Sequence, residues 1–146
     1  MPFKHDSTGV NPDAFPLLPA DEYVFRIVDA REEISKKGYH MVKTEIEVAE
    51  GDHKGFQLTH YVVFIPKGQK GDGINVHFRK CINVPFGGDD EVNAADWVGR
   101  RFKATVSVDD ENYVKDGVRK QIKKNNLKKI EAIEGANAPV DSEVPF

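Results

Sequence analysis

The chain has 146 residues, of which 39% are hydrophobic and 31% are charged, and its formal net charge is −3. This length and composition predict a single soluble globular domain. The longest apolar run, residues 61–65, is too short to cross a membrane, and the N-terminus lacks the apolar stretch of a signal peptide. Cys81 is the single cysteine, which excludes an internal disulfide and indicates a reducing cytoplasm.

The first twenty residues contain four prolines and are predicted to form an extended arm rather than a helix. Beyond them, segments rich in β-branched and aromatic residues, or alternating between polar and apolar residues, indicate five strands. The alternation is clearest where Val42, Thr44, Ile46 and Val48 would share one face. The predicted strands are residues 21–30, 41–50, 56–65, 101–109 and 118–123, the last extended by 127–133 past an irregularity at Asn125-Asn126.

A short helix is predicted over residues 74–83, between the third and fourth strands, and Pro85 prevents its continuation. Arg79 is expected outside the apolar side of this helix. A Gly- and Asp-rich loop then leads through a helical turn to Trp97, which we interpret as a packing anchor, and residues 109–117 are predicted to form a turn. The apolar stripe of the helix consists of Ile74, Phe78, Cys81 and Ile82.

The order β-β-β-α-β-β favours a mainly β fold, namely a five-stranded OB-fold barrel with one short helix between strands 3 and 4. A five-stranded sheet capped by one helix is the alternative. We divide the chain into an extended N-terminal arm at residues 1–19, the OB-fold domain at residues 20–134, and a flexible acidic C-terminal tail at residues 135–146.

The charges are unevenly distributed, which matters more than the small net value. Residues 100–130 contain ten Lys or Arg and four acids, whereas no basic residue follows Lys129.

The acidic C-terminal end has few apolar residues that a hydrophobic core could bury. A partner protein can instead hold a terminal aromatic ring in a pocket and the terminal carboxylate on a cation. The alternative is a frayed, solvated tail. This predicted protein-interaction tip consists of Asp141, Glu143, Val144, Pro145 and Phe146.

Several cations and aromatic residues lie on the predicted strands and loops that a five-stranded barrel would use to bind a ligand. Cations follow phosphates and rings stack on bases, which are the two requirements for binding single-stranded nucleic acid. The candidate residues for single-stranded DNA binding are Lys36, Lys37, Tyr39, Lys43, His60, Tyr61, Arg101, Lys103, Tyr113, Lys115, Arg119 and Lys123.

Each candidate also has a structural interpretation. Tyr61 lies on an apolar strand and fits a core position better than a stacking position, whereas Tyr39 and Tyr113 lie in polar loops. Lys103 belongs to a group of cations, with Arg101, Arg119 and Lys123, that share a sign and a predicted outward face. The same pattern of cations is equally expected on the solvent-exposed face of an ordinary sheet.

The chain from about Leu18 to Ile133 resembles a phage-encoded family of single-stranded DNA-binding OB-fold proteins. The segments that carry the resemblance are residues 18–23, 27–30, 35–38, 48–51 and 97–101, together with Met41 and Lys54-Gly55. The tip is also similar to the C-terminal tip of bacterial single-stranded DNA-binding proteins (SSB). The resemblance implies a protein that coats single-stranded DNA in the cytoplasm of a bacterial host cell. It also implies that replication and recombination proteins are recruited through the tip.

No cofactor and no enzymatic activity are expected. The five histidines and Cys81 show no metal-ligand spacing, so no metal site is predicted. A metal-dependent nuclease that uses the acidic residues 89–96, and an OB-like protein-interaction or virion module without DNA binding, are the alternative functions. A monomer and a homo-oligomer assembled through the N-terminal arm both agree with the sequence.

Overall fold

Residues 1–9 and 17–137 are described by a computed structural model, and their fold is mainly β. Five strands form one antiparallel sheet in the order β3-β2-β1-β4-β5, and a short helix lies between β3 and β4 in the chain, as predicted. The elements are β1 (Asp21–Ile34), β2 (His40–Val48), β3 (Gln57–Val63), α1 (Gly73–Ile82), a 3₁₀ turn (Ala94–Trp97), β4 (Arg101–Lys115) and β5 (Val118–Glu131).

The core lies on one side of this sheet, which we call the inner face, and α1 and the 3₁₀ turn cover it. The alternation predicted for β2 is confirmed, because Val42, Thr44, Ile46 and Val48 are all buried. Trp97 is a packing anchor as predicted, since it is buried with its ring centroid 5.6 Å from that of Phe78.

The predicted helix is confirmed within one residue at each end, but two of its side chains differ from the prediction. Ile74, in the first turn of α1, is 65% exposed. Arg79 is buried, because its guanidinium donates to Pro85 O at 3.0 Å and to Asn75 Oδ1 at 2.7 Å. A ten-residue helix between a sheet and a long loop is covered on two sides, which a single apolar stripe does not reveal.

The turn predicted at residues 109–117 is wrong in its extent. β4 continues to Lys115, and the reversal uses only Asp116 and Gly117, whose φ angles are 54° and 75°. Two positive φ angles characterise a type I′ hairpin turn, for which Asp-Gly is a preferred pair. The polar residues before it, read as loop, are paired with β5 instead.

The faces assigned to the start of β5 are also wrong. One extra residue of β5 lies between the pairs Ala104–Ile130 and Val106–Leu127, which is a bulge. Val118, predicted to face inward with Ile122, lies instead on the outer face and is 56% exposed, because a shift of one residue exchanges the two faces of a strand.

Two asparagine side chains attach the segments just before β1 and just after β5 to the sheet. Asn125 Oδ1 accepts from Leu18 N at 2.8 Å, and Asn125 Nδ2 donates to Leu18 O at 2.8 Å. Asn137 makes the same double contact with the backbone of Arg101, at 2.8 and 2.7 Å. Leu18 is fully buried, so the last residues of the predicted arm are part of the domain.

Candidate nucleic-acid interface

The turn between β1 and β2 presents two lysines and a tyrosine. Its geometry is fixed by three short bonds: Ser35 N donates to Tyr39 O at 2.7 Å, Gly38 N donates to Ser35 O at 2.9 Å, and Tyr39 N donates to Ser35 Oγ at 3.0 Å. Gly38 adopts a φ of 86°, which glycine tolerates without strain. Lys36 and Lys37 are exposed at the tip of this turn. They make no ion pair within residues 1–9 and 17–137.

These residues meet β3 and the start of α1 around a groove of about 450 Å³, which we call the tyrosine groove. Tyr39 and Tyr61 line it, and Tyr61 is 50% exposed. Tyr61 therefore does not occupy the core position that the apolar strand had favoured. It points to the outer face of β3, directly opposite Lys43 of β2. The groove is completed by Ser35, Lys36, Lys37, Val63, Ile65 and Ile74.

The loop after β3 adds two cations that the sequence did not single out. Tyr39 Oη lies 3.3 Å from Gln69 Oε1, which places the turn of β1–β2 next to the loop containing Lys67 and Lys70. Both lysines are exposed. The signal available in the sequence was the Gly-rich segment from Pro66 to Gly73, which predicts a loop but not its neighbours.

His60 and Tyr61 are adjacent in sequence but point to opposite faces of β3. His60 lies on the inner face, opposite Thr44, with its ring 5.3 Å from the ring of Phe78. Burial lowers the pKa of His60 to about 4, so the imidazole is neutral at pH 7 and offers no cation to phosphate. His60 instead lines a second groove.

That second groove, of about 760 Å³, lies between β3 and β5, the two ends of the strand order. It is mainly apolar, with Val62, Leu127 and Ile130 among its walls. Helix α1 bridges the two strands at its base, where His77 Nε2 lies 2.7 Å from Ile130 O. The tyrosine groove adjoins it, because Ile74 lines both.

Lys103 and Arg101 lie together on the outer face of β4, and neither lines the tyrosine groove. Lys103 Nζ lies 3.3 Å from Glu131 Oε2 and 3.5 Å from Glu22 Oε1. The hydrogen bond to Glu131 and the charge of Glu22 raise the pKa of Lys103. A lysine already shared by two carboxylates is a poor phosphate ligand, so this position fits the alternative of an ordinary solvated sheet face.

The remaining predicted cations lie on the hairpin of β4 and β5. Arg119 is opposite Val114 and Lys123 is opposite Asp110, so both lie on the face that continues the inner face. Tyr113 and Lys115 lie on the other face. The four cations predicted to share one face are therefore divided, because the bulge in β5 reverses the alternation.

The predicted interaction tip, Asp141, Glu143, Val144, Pro145 and Phe146, lies outside the described residues. Within residues 1–9 and 17–137, no group of three or more His, Cys, Asp or Glu side chains could hold a metal ion. The acidic loop proposed for a nuclease is partly engaged, since Asp90 lies 3.9 Å from Arg79 and accepts from Gly88 N at 3.2 Å. No helix in the described part of the chain is long and apolar enough to cross a membrane.

One thiol–imidazole pair is present in the described residues, but its chemistry does not favour a nucleophile. Cys81 Sγ lies 3.5 Å from His77 Nε2 on the side of α1 that faces β5. Burial raises the pKa of the Cys81 thiol, so it stays protonated near neutral pH.

When the chain is compared with known proteins, no family model and no curated protein matches it.

Proposed function

We propose that this protein binds single-stranded DNA without sequence specificity. The observation that carries the proposal is the tyrosine groove, where the free cations Lys36 and Lys37 meet the rings of Tyr39 and Tyr61. Each stacked base contributes about 1–3 kcal/mol, and stacking is available to every base. The groove thus supplies both backbone attraction and base stacking without a set of polar groups for reading sequence.

The fold supports the same proposal. We interpret the open sheet as a partly open OB barrel, whose seam lies between β3 and β5 and is bridged by α1. OB folds bind oligonucleotides on the face of strands 2 and 3 and on the adjoining loops. In this chain the β1–β2 turn and the outer face of β3, with Tyr61, line the tyrosine groove.

In the cell, the protein would coat single strands exposed during replication, recombination and repair of a phage or prophage genome, in the cytoplasm of the bacterial host. It would protect these strands and present them to enzymes without catalysing a reaction. This role rests on the resemblance of residues 18–133 to phage single-stranded DNA-binding proteins. The N-terminal arm is the segment we expect to mediate any self-association.

The direct test is the binding of labelled oligo-dT, followed by fluorescence anisotropy or a mobility shift. We expect binding that weakens steeply with added salt, because phosphate contacts release counterions. Absence of binding, or an affinity independent of salt, would refute the proposal. The apolar walls of the groove, formed by Val63, Ile65 and Ile74, would then favour the protein-interaction or virion module.

The tip has its own test. We propose that Asp141 to Phe146 recruits replication or recombination proteins, and that it can also compete weakly with DNA for the cations of the domain. Deleting these six residues should leave affinity for oligo-dT equal or higher while partner recruitment is lost. A deletion that abolishes DNA binding would show that the tip belongs to the DNA-binding domain.

A further inference from the structure

The outer half of the β4–β5 hairpin stands away from the rest of the domain. We call residues 110–123 the ribbon. The last residue of β4 that pairs with β1 is Val106, so within the described residues the ribbon has no third strand on either edge. Every residue of the ribbon is exposed except Ile122, which is half-buried. Six residues on each strand at about 3.3 Å per residue give a projection of about 20 Å.

An isolated two-stranded hairpin is marginally stable in water, and this one exposes several large side chains. Val114 is 71% exposed and Val118 is 56% exposed. A surface of this kind is better explained by a partner than by the domain itself. The charges indicate which partner.

Charged side chains near the base of the ribbon form ion pairs, whereas the cations near its end do not within the described residues. Glu111 pairs with Lys124 at 3.8 Å, and just below the ribbon Asp109 pairs with Lys128 at 3.4 Å. The outer residues 113–120 hold three cations and one acid, Asp116, which belongs to the type I′ turn. These three cations make no ion pair within the described part of the chain. They are Lys115, Arg119 and Lys120.

The three cations are distributed over both faces of the ribbon. Arg119 lies opposite Val114 on one face, whereas Lys120 lies opposite Tyr113, and Lys115 opposite Val118, on the other. A single strand of nucleic acid can contact one face at a time. A ribbon with positive charge on both faces instead fits between two phosphate backbones, which flank each groove of a DNA duplex.

The dimensions and the polar side chains agree with this geometry. The major groove of B-DNA is about 12 Å wide and admits a two-stranded β-ribbon. The face that carries Arg119 also carries Asn112 directly opposite Gln121. On a face that meets a phosphate backbone, carboxamides of this kind donate to phosphate oxygens.

We propose that the ribbon inserts into the major groove of duplex DNA, and that the protein therefore binds preferentially where a single strand joins a duplex. The preference for the junction rests on the proposed binding of single strands in the tyrosine groove. The contact between ribbon and duplex does not depend on it.

The test compares three labelled DNA ligands: oligo-dT, a blunt duplex, and the same duplex with an oligo-dT tail. The ribbon variant is Lys115→Gln, Arg119→Gln, Lys120→Gln. The matched control is Lys4→Gln, Lys54→Gln, Lys80→Gln, which removes the same charge from exposed positions elsewhere. A second ribbon variant replaces residues 111–122 by Asn-Gly, which closes the hairpin near its base.

Wild-type protein and the control should bind the tailed duplex more tightly than either of the other ligands. Both ribbon variants should lose blunt-duplex affinity by about tenfold or more, and the substituted variant should lower the salt slope by about 2.7 for three phosphate contacts. Their affinity for oligo-dT should fall by less than their affinity for the blunt duplex, because Lys115 and Arg119, although candidates for contact with single strands, do not line the tyrosine groove. Blunt duplex RNA should bind more weakly than the DNA duplex, because its major groove is too deep and narrow for the ribbon.

Several results would overturn the proposal. These are equal duplex affinity in the ribbon variants and the control, equal binding of RNA and DNA duplexes, and a loss of oligo-dT binding that matches the loss of duplex binding. A ribbon variant that changes the oligomeric state but not DNA binding would assign the ribbon to a second copy of the chain. If wild-type protein binds duplex but not oligo-dT, the proposed function fails while the ribbon contact stands.

Discussion

Substitution of Tyr61 gives the sharpest test of the tyrosine groove. The side chain is 50% exposed on the outer face of β3, whereas the core packs on the other face. Removing a ring on which a base stacks costs about 1–3 kcal/mol of binding free energy. At 1.4 kcal/mol per tenfold change, Tyr61→Ala should weaken oligo-dT binding by about 5- to 150-fold.

The same substitution should have little effect on folding. A half-exposed ring on an edge strand contributes about 1 kcal/mol to the free energy of unfolding, from partial burial and strand propensity. Urea unfolding followed by circular dichroism measures this cost, and anisotropy of labelled oligo-dT at fixed low salt measures the affinity. The two measurements separate loss of a stacking surface from loss of fold.

Two control variants lie at the same place. Tyr61→Phe keeps the ring and should bind as the wild type does. Thr59→Ala alters the next outward-facing residue of β3, which bonds Glu45 Oε2 at 2.8 Å, and should also leave affinity unchanged. A folded Tyr61→Ala protein with wild-type affinity would refute stacking in this groove. If Tyr61→Phe loses as much affinity as Tyr61→Ala, the hydroxyl rather than the ring makes the contact.

Three further predictions concern other parts of the molecule. Lys36→Gln with Lys37→Gln should reduce the dependence of log affinity on log salt by about 1.4, because each phosphate contact to a single strand contributes about 0.7; an unchanged slope in a salt titration would remove the turn from the interface. The depressed pKa of His60 means that the unfolded chain takes up a proton near pH 6.5 but the folded chain only near pH 4. Stability should therefore fall as the pH falls through this window, by about 3 kcal/mol at most, and urea unfolding of His60→Phe should show a smaller loss than that of the wild type. Asn125→Ala removes both bonds to the backbone of Leu18 and should lower the free energy of unfolding by about 2 kcal/mol, whereas an unchanged urea midpoint would show that the attachment is dispensable.

The parts of the fold that follow from local pattern were predictable. Strict alternation in β2 identified its buried face, and the spacing of Phe78, Cys81 and Ile82 identified α1. An irregularity in β5 was predicted at Asn125-Asn126, but the extra residue lies between Leu127 and Ile130. The alternation of a strand does not by itself show where that strand gains a residue relative to its partner. That single residue reversed the expected faces of Val118 and Arg119.

The site was predictable to a similar degree. Lys36, Lys37 and Tyr39 were predicted to lie near one another because they share one polar turn, and all three line the tyrosine groove. Their meeting with Tyr61 and with the loop after β3 depends on tertiary contacts such as the one between Tyr39 and Gln69. The ion pairs of Lys103 could not be predicted, because its two carboxylate partners lie on β1 and β5 and are distant from it in sequence.

The attachment of β4 to β1 only as far as Val106 has a consequence for how the domain opens. Backbone amides exchange with solvent at rates set by the smallest opening that exposes them. The amides of residues 101–106 belong to a strand with neighbours on both sides, and we expect them to exchange only when the whole domain opens. Those of residues 110–115 belong to a two-stranded hairpin, which we expect to open by itself. We therefore expect one continuous strand to contain two cooperative units, with amides 110–115 exchanging faster than amides 101–106.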